Sequence, residues 1–217
     1  MQISWKGQAC FYITVQRAGH EQVRIVIDPY ESSIGLSVLS LEADIVLSTH
    51  DHADHNNVKA VKSDAFVITG PGEYEIQEVS IQGIPSFHDD VEGKERGKNT
   101  IFIIEAEGMK LCHLGDMGQG ELSAEQVSQI GNVDILFVPV GGVYTIDAKG
   151  ASKMVNQIEP RIVIPMHYFL PKLKFSLGTV DEFLKEMGIK NIEPQSKLTV
   201  KVRDFTSEET KVVVLAP

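Results

Sequence analysis

The chain has 217 residues, of which 42% are hydrophobic and 23% charged, and a formal net charge of −10. This length and balance support a sizeable core and exclude a disordered or fibrous chain. The acidity argues against nucleic-acid binding, which needs a basic footprint, but admits an anionic substrate beside a bound metal that reverses the local potential.

The opening MQISWKGQACFYITV has no charged n-region, apolar h-region or small-residue cleavage site, so no export signal is expected. CFYITVQ (10–16) and VRIVID (23–28) are predicted strands around the turn RAGHEQ. ADIVLST (43–49) is a short strand leading into a histidine cluster, and NNVKAVKS (56–63) has the apolar spacing of a short helix. AFVITG, GEYEI and VSIQGIPS are strands separated by Gly-Pro turns, and NTIFIIEAEGMKLCHLGD is a hairpin turning at EAEG. Strands then alternate with helices. SAEQVSQI is a Ser-capped helix, VDILFVPV a buried strand, DAKGASKMVNQI an Asp-capped helix, RIVIPM a strand and TVDEFLKEMG a Thr-capped helix. KLTVKVRD and TKVVVLAP are closing strands.

No repeat, low-complexity segment or linker interrupts this order, so one domain over residues 1–217 is expected, with sheets inside and helices outside. The longest apolar run, VDILFVPVGGVY, falls short of the ~18 residues of a membrane span. Cys10 and Cys112 sit in apolar strand-like runs and are expected as buried thiols, not a disulfide framework. A cytoplasmic, non-membrane protein follows; homo-oligomerisation is left open.

The stretch LSTHDHADHNN (47–57) holds three of the seven histidines of the chain. His50 and His52 are two apart just beyond a strand, so both can point to one side. Asp54 and His55 follow, and imidazole nitrogen and carboxylate oxygen are standard ligands of Zn²⁺. Further ligands belong at strand ends. His88 closes IPSFH, Asp116 closes LCHLGD and His167 closes IVIPMH.

The order H-x-H-x-D-H, then His, Gly-Asp and His resembles the five-motif signature of the metallo-β-lactamase superfamily. GQACFYI, IDP, the interval of 33 residues between His55 and His88, and VPVGGVYTID…IPMHY resemble the branch of small hydrolases related to ascorbate-6-phosphate lactonase. The resemblance implies a four-layer αββα sandwich with the site at one edge of the sheets. It implies His50, His52 and His88 on one metal, Asp54, His55 and His167 on a second, and Asp116 bridging. Antibiotic-hydrolysing members usually carry cysteine where this chain has Asp116, and diiron electron-transfer members glutamate where it has His52. The chain lacks the inserted RNA-binding modules of the superfamily's nucleases.

The expected function is that of a metal-dependent hydrolase acting on a small ester, lactone or phosphodiester. Two divalent ions, zinc first and manganese, iron or nickel as alternatives, share a water and lower its pKa towards 7. Asp54, with a spare oxygen, orients the nucleophile, which makes Asp54 and Asp116 the catalytic candidates. The rival functions are an oxidoreductase with one iron at His50, His52 and His88, and a metal-binding scaffold without turnover. Asp28, at a strand end before a proline, is either an outer partner of a ligating histidine or a turn cap. Tyr144, Tyr168 and Lys172 are candidate substrate contacts, with packing or solvation as the alternative. Lys174, Lys94, Arg96 and Lys98 are weighed as anion holders against an ordinary solvated face. His113, three residues before Asp116, is expected to face away, and His20 to lie solvated in a turn.

Overall fold

In the computed structural model, which describes residues 1–217 apart from Ala18, His20, Val38, Leu39, Ser63 and Glu208, alternating apolar residues set two sheets face to face. The first half supplies β1 (Gln2–Trp5), β2 (Phe11–Gln16), β3 (Gln22–Ile27), β4 (Ile45–Leu47), β5 (Phe66–Ile68), β6 (Gly72–Ile76), β7 (Val79–Phe87) and β8 (Lys98–Ala106). The second supplies β9 (Met109–His113), α1 (Ala124–Ile130), β10 (Ile135–Pro139), α2 (Ala148–Ile158), β11 (Ile162–Met166), α3 (Val180–Glu186), β12 (Leu198–Thr199) and β13 (Lys211–Val212). The sheet orders are β12-β1-β2-β3-β4-β5 and β13-β11-β10-β9-β8-β7-β6. Two stacked mixed sheets are thus present as expected, with α1, α2 and α3 following strands of the second sheet.

The period of two along each strand divides the core. Phe11, Ile13 and Val15 of β2, Val23, Ile25 and Ile27 of β3, and Ile45 and Leu47 of β4 join the cluster shared by both sheets. Cys10, Val26 and Val46 point the other way, into an outer cluster with Tyr30, Ile34 and Val61. Leu173 and Phe175 pack on that cluster, so turns and the loop after β11 cover this face. The expected helix over NNVKAVKS is one 3-10 turn, Val58–Ala60. Asn57 makes no side-chain cap there, and so short a segment cannot offset the cost of helix nucleation.

On the second sheet the helices behave as their sequences require. Ser123 and Gln126 close a capping box on α1, and Asp147 accepts from the Gly150 amide at α2. Ala151, Met154, Val155 and Ile158 form the buried stripe of α2. Thr179 occupies the N-cap of α3, but its side chain makes no capping bond. The β8–β9 hairpin turns through Glu107 and Gly108, both with positive φ (54° and 72°), the requirement of a type I′ turn. Strand β1 has no counterpart in the sequence reading; its alternation is only four residues long, although Ile3 and Trp5 are fully buried. The closing strands are shorter than expected, with a 3-10 turn at Val202–Asp204. The expectation for His20 lies outside the described residues.

Strand direction positions the site. β3 and β4 run parallel, as do β9, β10 and β11, while β7 is antiparallel to β8 and β8 to β9. The carboxyl ends of β7, β9 and β11 therefore share one edge, where α/β sheets present ligand sites. The first sheet meets this edge where the Thr100 amide donates to the Thr49 carbonyl at 2.9 Å.

Candidate metal centre

Seven side chains from four strand ends converge at this edge. His50, His52, Asp54 and His55 follow β4, His88 follows β7, Asp116 follows β9 and His167 follows β11. They fall into two sets, His50/His52/His88 and Asp54/His55/Asp116/His167, with the ligand atoms of each set within 4.8 Å of one another. Gly115 and Gly118 allow the close approach, since a Cβ at Gly115 would strike Asn99 and Thr49, and one at Gly118 the His88 backbone.

His50 Nε2 is 3.0 Å from His52 Nδ1. His55 Nε2 lies 3.2 Å from Asp116 Oδ1 and 3.3 Å from Asp54 Oδ2. Asp116 Oδ2 lies 3.3 Å from both His88 Nε2 and His167 Nε2, so this carboxylate touches both sets. Two ligands at 2.0–2.1 Å from a tetrahedral ion are about 3.3 Å apart. His55 Nε2 and Asp116 Oδ1 are both buried, and neither makes a well-directed hydrogen bond. Buried polar atoms seldom go unpaired, and a divalent cation fits this N/O donor set.

The electrostatics point the same way. Burial first, then the neighbouring His55, pushes His50 down to about 2, and burial also lowers His52, so both are neutral ligands. Burial would also neutralise His55, but Asp116, Asp54 and Asp28 outweigh it and hold His55 well above the usual imidazole range. Burial opposes ionisation of Asp116 and Asp54, yet the surrounding histidines keep both well below the usual carboxylate range. The second set is an anionic pocket whose carboxylates favour a cationic partner.

A buried frame holds the ligands. Asp28, with φ 49°, accepts from the Thr49 amide and hydroxyl, both at 2.8 Å, and from His55 Nδ1 at 2.8 Å. The Thr49 proton being committed to Asp28, His50 Nδ1 donates to Thr49 Oγ1 at 3.0 Å. One carboxylate thereby occupies the Nδ1 side of His55 directly and of His50 through Thr49, which turns Nε2 of each toward its donor set. Asn99 donates to Ser86 Oγ and the Leu114 carbonyl and accepts from the Asp116 amide at 3.0 Å. Gln8 Nε2 lies 3.3 Å from Asp54 Oδ2 and 3.2 Å from His167 Nε2. Thr49, Asn99 and Gln8 were not singled out in the sequence; only the φ of 52° at buried Gln8 marks that residue as unusual.

A cleft of about 280 Å³ opens beside the ligands, lined by His52, Asp54, His88, Arg96, Asp116, Tyr144 and Phe175. Tyr144 is thus at the site. Tyr168 is not, contrary to expectation: it is buried against Trp5, with ring centroids 4.8 Å apart, and its hydroxyl faces the Leu215 carbonyl. Lys172 is also elsewhere, exposed on a loop whose backbone packs over Gly35. His113 is buried between Phe11 and Phe137, with Nε2 donating to the Ala9 carbonyl and Nδ1 accepting from the Gly115 amide.

Comparison with known families places this geometry. The β-lactamase superfamily domain matches residues 2–167, a span containing all seven converging side chains. The chain belongs to the metallo-β-lactamase superfamily. Within the superfamily it is 33% identical to a UPF0173 protein of Pyrococcus furiosus, over 88% of this chain and 93% of that one. It is 29% identical to a UPF0173 metal-dependent hydrolase of Thermococcus onnurineus, over 77% of this chain and 84% of that one. A crystal structure of a Thermotoga maritima superfamily member superposes with a TM-score of 0.77 at 37% identity, covering 99% of this chain and 97% of that one.

Proposed function

We propose that the protein is a metal-dependent hydrolase that binds two divalent ions, zinc by preference, and cleaves a small ester, lactone or phosphodiester. The observation that carries this reading is the pair of donor sets meeting at Asp116, with His55 Nε2 and Asp116 Oδ1 buried and without a well-directed hydrogen bond. Relatives named as metal-dependent hydrolases support it. His50, His52 and His88 would hold one ion, Asp54, His55 and His167 the other, with Asp116 between them. Ions held there supply a water of lowered pKa and polarise the substrate oxygen.

The chain's own groups do the rest. Asp54 turns Oδ2 to His55, His167 and Gln8, which leaves Oδ1 to accept a hydrogen bond from the attacking water. Gln8 anchors the carboxylate in that orientation. Asp28 and Thr49 keep the imidazoles in the tautomer that ligates. The partner is a small molecule, consistent with a cleft of about 280 Å³ and with the acidic surface, which disfavours nucleic acid. No helix among the described residues is long and apolar enough to cross a membrane, and we place the protein in the cytoplasm.

The test is a screen of metal-loaded and chelator-stripped protein against esters, lactones, phosphodiesters and a penicillin. Metal-dependent turnover of the first three classes, with the penicillin slower, is the expected result. Tight metal retention without turnover would favour the scaffold, and a coloured protein with one iron the oxidoreductase.

A further inference from the structure

Arg96 is the one permanently cationic side chain lining the cleft among the described residues. Its setting differs from that of Arg17, Arg24 and Arg161, each of which faces a carboxylate. The Arg96 Nη1 donates instead to the Val143 carbonyl at 3.0 Å, and its guanidinium lies over the Tyr144 ring, 5.2 Å from the centroid. Tyr144 in turn meets Phe175 edge-on, with centroids 5.8 Å apart. A guanidinium has five N–H donors and no acceptor, so donors remain for a ligand. The side chain is ordered from both ends, because the ring and the carbonyl hold its head while its own backbone is fixed.

That backbone fixation is built by Asp89. Its carboxylate accepts four main-chain N–H groups, from Val91, Gly93, Glu95 and Arg96, at 2.7–3.0 Å. The His88 amide donates to the Gly97 carbonyl, closing the loop onto a residue of the first donor set. Val143 has φ 63°, a conformation β-branched residues rarely adopt and one that collects at functional sites. A loop tied this tightly, ending in a guanidinium beside the donor sets, is a preorganised recognition element.

We propose that Arg96, backed by Tyr144, is an oxyanion-binding subsite, so that the substrate carries a carboxylate or phosphoryl group beside the bond cleaved and an apolar portion against Phe175. This deepens the hydrolase reading and rests on it for the statement that the ligand is a substrate. A bidentate guanidinium matches either anion, and the acidic protein surface makes a local cation necessary to admit one.

The probes are phenylphosphonate, benzoate and neutral benzamide, titrated calorimetrically into the metal-loaded native protein and its R96Q and R96K variants. R96Q should weaken one or both anions about 10- to 100-fold, leave benzamide and metal content unchanged, and be partly rescued by R96K. The anion that loses more identifies the substrate group as phosphoryl or carboxylate. The proposal falls if neither anion binds the native protein, if R96Q binds both within twofold of native, or if all three probes weaken alike, as loss of loop structure would cause. Anion binding as expected, without turnover of any ester, lactone or phosphodiester, would refute the hydrolase reading and leave the oxyanion site standing.

Discussion

The Oδ2 atom of Asp28 lies 2.8 Å from Nδ1 of His55, with both side chains wholly buried. With the carboxylate oxygen accepting, this contact keeps a proton on Nδ1 and leaves Nε2 as the nitrogen that would ligate. The same carboxylate reaches His50 through Thr49. Asp28→Asn should lower metal affinity about 10- to 100-fold, and Thr49→Val should affect chiefly the set containing His50. Competition titration against a chromophoric chelator measures both. Unchanged affinity in Asp28→Asn would remove this carboxylate from any role in the site.

Asp116 touches His55 through one oxygen and His88 and His167 through the other. Asp116→Asn keeps the shape but loses the charge, and its amide nitrogen cannot ligate. Occupancy of the set with Asp54, His55 and His167 should fall, and most hydrolysis with it, while the fold persists. His113→Ala should instead lower the melting temperature, since His113 fills a core position against Phe11 and Phe137. Its metal content per folded chain should stay near that of the native protein. The opposite pattern in elemental analysis would overturn this assignment of the β9 end.

Metal should bind at close to two ions per chain and stabilise the fold, because the donor geometry exists only when folded. At a free metal concentration one hundred times the dissociation constant the gain is about 2.7 kcal/mol. For a chain of this size that raises the melting temperature by roughly 5–10 °C. Calorimetry with and without chelator measures it. A single ion at saturation, with His55 and His167 dispensable, would refute the pair of sites.

The two sets should respond differently to pH. His50 is held at about 2 by burial and needs no deprotonation to ligate. His55 is raised by Asp116, Asp54 and Asp28 despite its burial, so below that raised value it carries a proton which a cation must displace. Affinity at the set with His55 should therefore drop about tenfold per pH unit on acidification, leaving His50, His52 and His88 loaded longer. Metal counts between pH 8 and pH 6 should pass through one ion per chain. Simultaneous loss of both ions would contradict the assignment.

The Asp89 carboxylate is held below its usual range because, although burial opposes ionisation, four backbone N–H groups favour the charged form. A depressed folded-state value stabilises the loop above the ordinary carboxylate pKa, and the contribution is lost as pH falls through the folded value. Asp89→Asn puts an amide donor against backbone donors. Hydrogen exchange over residues 89–97 should quicken, and metal content should hold. Unaltered protection would mean that Asp89 does not order the loop.

Much of this was legible in one dimension. H-x-H-x-D-H is local, so four converging side chains could be read from six residues of chain. His88, Asp116 and His167 were legible because each ends an apolar run, and strand ends are where loops meet. The β2–β3 and β8–β9 hairpins were legible from alternation and turn chemistry. NNVKAVKS misled because helical spacing over eight residues does not supply the energy to nucleate a helix, and the outer cluster was covered by loops instead.

The sequence by itself determined the donor inventory and a layered α/β chain, because both follow from local periodicity and residue chemistry, while the stacking of two sheets was implied by the resemblance of the motifs. Only the tertiary structure decided which neighbours serve the site. Gln8 meets His167 across 159 positions and Asp28 meets His55 across 27, and no local pattern encodes such a meeting. Tyr168 adjoins His167 yet packs into the core, while Arg96, amid an ordinary-looking charged run, is carried to the cleft by the Asp89 loop. Adjacent residues can point to opposite sides of the chain, so proximity in sequence cannot choose between them, whereas the packing of four strand ends at one edge does.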